Sequence, residues 1–93
     1  MDGIEIIKEA REKQINKYGY TPEHDRMYQS NQLLFGALAY LNAALFGKSV
    51  GEEDWPFDTK YFKGGTNFVE DLSKAGAFIA AEIDRIKLQE NDK

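Results

Sequence analysis

Apolar residues along this chain recur at helical spacing, and no run alternates for long enough to predict a strand. Ile4, Ile7, Ile15 and Tyr18 fall on one side of a helix, with charged residues between them. That pattern predicts helix 1 over about 3–18, and Gly19 supplies its stop. Pro22 stands where a second helix can begin. Met27, Leu34, Phe35, Leu38, Leu41 and Leu45 carry this helix over about 23–46, and Gly47 ends it. A third stripe, Val69, Leu72, Gly76, Ile79, Ile83 and Ile86, predicts helix 3 over about 67–88. Asn67 is its expected cap, and Glu70 three residues later gives the capping-box spacing.

The segment "GKSVGEEDWPFDTKYFKGG" between the second and third stripes has no clear period and is rich in Gly and aromatic residues. Small residues punctuate both flanking helices: Gly36, Ala39 and Ala43 on one, Gly76 and Ala80 on the other. Side chains that small let two helix axes approach closely, so helices 2 and 3 are expected to form the central pair. The expected fold is all-α, a single compact three-helix domain over 1–93 with a long aromatic loop between helices 2 and 3.

Composition adds one constraint. A chain of 93 residues buries only about 60–65% of the surface its unfolded form exposes, so its core is marginal. With no cysteine to cross-link it, association into a homo-oligomer is the expected source of further burial. A net charge of −4, with both signs mixed along the chain, argues against sequence-general nucleic-acid binding. No run approaches 18 apolar residues, and the N-terminal "MDGIEIIKEA" is acidic and amphipathic. No membrane partner or signal peptide is expected, and the expected location is cytoplasmic.

Several residues stand out against this framework. Arg11 sits between Ile7 and Ile15 on the apolar face of helix 1, with Gln14 beside it. A guanidinium there needs a carboxylate partner or a cavity. Glu82, beside the helix 3 stripe, is the expected partner; a ligand phosphate is the alternative. His24 and Asp25 form an "HD" pair, but the chain has a single histidine. Metal-dependent phosphohydrolase and zinc chemistry need more ligands than that. No serine lies in a nucleophile-elbow context. "FGKS" lacks the first glycine and the strand of a phosphate loop. No catalytic residue, metal or cofactor is therefore expected.

"KGGTN", Lys63 to Asn67, could hold an anion on backbone N–H groups, although Glu70 and Asp71 load the same helix start with negative charge. Tyr18, Tyr20, Trp55, Phe57, Tyr61 and Phe62 cluster in or beside the irregular segments. They can cover the ends of a small core or stack on a purine. A pocket framed by Tyr20, His24 and Trp55, with Arg11, Gln14, Asp25 and Lys74 as polar contacts, would suit a nucleotide-type small molecule.

"REKQINKYGYTPEHD" resembles the "ERxRQ…G[WY]TxxHD" signature of small bacteriophage and prophage accessory proteins, a segment shared with Ead-like phage early proteins. "DLSKAGAFIAAEIDRI" is similar to their "DLVKAGALIxAEIDRL" end, and "WPF" to their "WPW" middle. Ala10 and Lys13 depart from the pattern, standing where Glu and Arg are usual. The resemblance implies a product acting in the host cytosol, with sequestration of a nucleotide signal as the expected role. Two alternatives stand beside it. One is an inhibitor docking on a host protein through "GEED" and Trp55. The other is an enzyme resembling the all-α nucleoside triphosphate pyrophosphohydrolases, for which Glu9 and Glu12 give ExxE spacing but no ExxD follows.

Overall fold

The computed structural model describes residues 1–19, 21, 24 and 31–91. Within them the chain forms four helices: α1 (Gly3–Asn16), α2 (Gln32–Phe46), α3 (Lys48–Asp54) and α4 (Phe68–Asn91), with a 3₁₀ turn at Thr59–Tyr61. The domain is all-α, but the expected three-helix count is wrong. The fourth helix, α3, lies inside the segment expected to be loop. Its seven residues carry no apolar stripe, and it folds because it docks. Gly51 lies flat against α2, where an added Cβ would collide with the Ala39 carbonyl oxygen and come within 2.8 Å of the Ala43 Cβ. The Asn42 side-chain amide also donates to Asp54 at the end of α3.

Local chemistry sets most boundaries. The Asp2 carboxylate accepts the Glu5 N–H at 2.9 Å and starts α1. Gly47 breaks the chain between α2 and α3 with a φ of 101°, where an L side chain would be strained. Asn31, just before α2, adopts a left-handed φ of 61°, a conformation asparagine tolerates better than most residues. Helix α2 thus begins at Gln32, and the residues expected to lead into it from 25 to 30 lie outside the described set. The Asn67 side chain accepts the Glu70 N–H at 3.0 Å and caps α4, which then runs three residues past the expected Leu88.

The two long helices and α1 form a row. Both α1 and α2 pack on α4, while α3 packs on α2. Helix α2 runs antiparallel to α4, since Gly36 meets Phe78 and Tyr40 lies under Lys74. Helix α1 runs parallel to α4, since Ile7 covers Gly76 and Arg11 reaches Asp84. The core between them is built mainly of alanine, Ala37, Ala39, Ala43, Ala75 and Ala81, with Leu33, Tyr40, Phe62 and Phe78. Leu34, Leu38, Leu41 and Leu45, whose period predicted α2, lie outside it. No described helix is long and apolar enough to cross a membrane.

Glycine in a helix costs about 0.5–1 kcal/mol relative to alanine, so Gly51→Ala would stabilise α3 if space allowed. The collision with the α2 backbone outweighs that gain. Gly51→Ala is expected to lower unfolding stability by about 1–3 kcal/mol, read as a lower urea midpoint with unchanged slope.

Candidate functional site

The loop after α3 folds inward around one aromatic cluster. Trp55 meets Tyr40 edge-on with centroids 5.5 Å apart, Phe57 at 5.1 Å and Phe62 at 5.1 Å. Phe62 is buried and tilted against Tyr40 at 4.8 Å, while Phe78 of α4 stacks on Tyr40 at 6.1 Å. The Trp55 indole N–H donates to the Asp58 carbonyl at 3.0 Å, and the Tyr40 hydroxyl accepts the Lys63 N–H at 3.3 Å. These bonds fix the loop as a wall.

Between that wall and α1 lies a groove of about 850 Å³. Its floor is Ser73, Lys74 and Phe78 of α4, and its α1 side includes Ile6, Lys13 and Gln14. Trp55, Tyr61 and Lys63 supply the loop side, and Tyr18 extends it past the end of α1. Four lysines line it, Lys13, Lys17, Lys63 and Lys74, against the carboxylates of Glu9, Glu12 and Glu70. The Lys74 ammonium stands 5.4 Å from the centre of the Tyr40 ring, so cation and aromatic face are already paired.

Of the residues singled out in the sequence, Gln14, Trp55 and Lys74 meet in this groove. Arg11 is not among its lining residues. Its guanidinium is buried and donates to Asp84 from Nε at 3.2 Å and from Nη2 at 3.0 Å. Its Nη1 donates to the Gln14 side-chain oxygen at 3.1 Å. The expected partner was Glu82, two residues before the observed one. Glu82 is held instead by Arg85 of its own helix, through both carboxylate oxygens. Tyr20 and Asp25 lie outside the described residues. His24 is half-buried, and its backbone N–H donates to the Thr21 hydroxyl at 3.1 Å, the bond of a helix cap.

The "KGGTN" segment has an anion of its own. The Gly65 N–H donates to both oxygens of Asp71, at 3.2 and 3.0 Å, and Asp71 is almost fully buried. Gly65 sits at a φ of 91° with Lys48 against its α-carbon, so only glycine fits there without strain. The glycines thus serve an internal staple, not a site for an external anion.

Sequence reasoning did not name Lys17 or Tyr40 for the site, took Lys13 only as a departure from a pattern, and placed Lys63 in a separate anion site. Their convergence depends on α1 running parallel to α4, which one-dimensional spacing does not reveal. Among the described residues, no three histidines or carboxylates converge as a metal-holding group. No family model, curated protein or solved structure matches the chain.

The two ion pairs predict different costs. The Glu82 side chain is 6% exposed, so Arg85→Ala strands a buried carboxylate, expected to cost about 3–5 kcal/mol. The Asp84 side chain is 45% exposed, so water takes over when Arg11 is truncated. Arg11→Ala is expected to cost about 1–2 kcal/mol, mainly from lost packing and hydrogen bonds. Urea melts of both variants check the order, and a larger loss for Arg11→Ala would overturn it.

Proposed function

We propose that this chain binds a nucleotide-type small molecule in the groove between α1, α4 and the Trp55 loop, and holds it without converting it. One observation carries the reading: aromatic faces and lysine ammonium groups line the same groove. A base gains stacking energy from such a face whatever its identity, and ammonium groups supply charge to a phosphate. The groove volume falls within the roughly 300–1,000 Å³ usual for small-molecule sites. Four lysines against three carboxylates leave only a slight positive excess. That balance favours a ligand with one or two phosphate charges, such as a cyclic or monophosphorylated nucleotide, over a triphosphate.

The donor set also favours holding over turnover. Glu9 and Glu12 line the groove, but no third metal-ligating side chain joins them among the described residues. Docking on a host protein through Trp55 is a weaker reading, because that ring is half-buried among Tyr40, Phe57 and Phe62. The resemblance of two motifs to those of phage accessory proteins supports a role in the host cytosol, where a protein that sequesters a nucleotide signal would blunt a defence response.

The test is filtration of the protein with a panel of mononucleotides, cyclic dinucleotides and nicotinamide-derived cyclic nucleotides, followed by chromatography of the filtrate and of the heat-released fraction. Trp55 is the chain's single tryptophan, so its fluorescence reports occupancy of the groove directly. One compound is expected to be retained, to quench Trp55 and to return unchanged on heating. Lys13→Ala and Lys74→Ala should each weaken its binding about tenfold or more, the scale of one charge-assisted hydrogen bond. A new species in the filtrate, or passage of every compound without quenching, would overturn the reading.

A further inference from the structure

The side of the helix row away from the groove is apolar. In α2, Leu34, Leu38, Leu41 and Leu45 fall within an arc of about 60° at 3.6 residues per turn, and all four are between 37% and 67% exposed. No charged residue interrupts α2 from Gln32 to Phe46. A helix that is apolar all round belongs in an interior. In α4, Val69, Leu72, Ile79, Ile83 and Ile86 are likewise exposed, and with Gly76, where Ile7 of α1 packs, they follow the three-and-four spacing of a helix-packing seam.

Both rows look the same way. Helix α3 occupies the Ala39 and Ala43 flank of α2, and the groove occupies the Ser73 and Lys74 flank of α4. The leucine and isoleucine rows are the remaining flanks of these two antiparallel neighbours. Ile4 and Ile7 of α1 extend the same surface. A crevice of about 230 Å³ between Ile6, Ile7, Val69 and Leu72 indents it, sized for a protruding apolar side chain.

We infer that this face is covered by a second copy of the same chain. The exposed parts of these leucines, isoleucines and valine, at roughly 100–150 Å² per fully exposed side chain, offer on the order of 800 Å². That exceeds the patch an ordinary monomer leaves open and matches what each partner of a stable interface contributes. Two adjacent antiparallel rows are self-complementary. A two-fold axis along the face sets α2 of one copy against α4 of the other, also antiparallel, and the four helices close as a bundle. A lipid surface fits less well, because α2 is 15 residues long and its apolar face lacks a charged opposite face to meet water.

The experiment is light scattering on the purified chain, compared with the double variant Leu41→Glu/Ile83→Glu, with circular dichroism as the check on folding. The wild type is expected at twice 10.6 kDa or an even multiple, and the variant at the single-chain mass. If the variant unfolds, the melting temperature of the wild type decides. It should rise with protein concentration over a hundredfold range, as it does when folding and association are linked. A wild-type monomer at tens of micromolar, an oligomer untouched by the substitutions, or a monomer that sediments with lipid vesicles would each overturn the inference.

Discussion

The close approach of α2 to α4 is the constraint on which the rest of the molecule depends. Their contact is made by glycine and alanine, with the Gly36 position pressed against the Phe78 ring. A core rich in methyl groups buries little per residue, at about 0.8 kcal/mol per methylene-sized group, and Leu33 is the one leucine within it, beside Tyr40, Phe62 and Phe78. Most other large apolar side chains lie elsewhere. The aromatic ones fill the gap beside the helix pair, where Trp55 and Phe62 pack on Tyr40 and Phe57 packs on Trp55. The aliphatic ones stay outside, on the back of the row. The groove and the apolar face are thus two results of one packing choice.

The charged groups follow the same geometry. Arg11 enters the α1–α4 contact because its neighbours are apolar, and it is tolerated because Asp84 and Gln14 meet its guanidinium. Of the lysines that line the groove, Lys13, Lys17 and Lys63 are exposed, so solvent keeps their desolvation cost small, and the half-buried Lys74 rests against the Tyr40 ring. The surface is divided by residue type: polar and aromatic on one side, aliphatic on the other.

The all-α class, the cap at Asn67 and the stop at Gly47 were all legible in spacing and residue type, because each rests on contacts within a few residues. The leucine period of α2 was legible too, but its meaning was not. Periodicity marks a face to be covered and does not say by what, and Leu34, Leu38, Leu41 and Leu45 carry the period while lying outside the core. Helix α3 escaped because its support is tertiary, a flat glycine on a neighbouring helix. The Arg11 partner was misplaced by two residues, at Glu82 instead of Asp84, because the two carboxylates lie on different sides of α4 and spacing alone does not say which side α1 takes. Trp55, Lys74 and Gln14 were named from residue chemistry, whereas Lys13, and the place of Lys63 in this groove, needed the direction of α1 and the path of the loop.

The Asp71 staple ties two parts of the chain into one unit. Its carboxylate belongs to the first turns of α4, while the N–H it holds belongs to the loop six residues earlier. The other end of that loop is pinned to α2 through Gly51. The aromatic wall between these points cannot peel away from the groove while the start of α4 stays intact. Opening it exposes a buried carboxylate and frees the helix terminus in the same event. Amide exchange along the wall is thereby tied to that of the α4 start, and the two protect each other as a single cooperative segment.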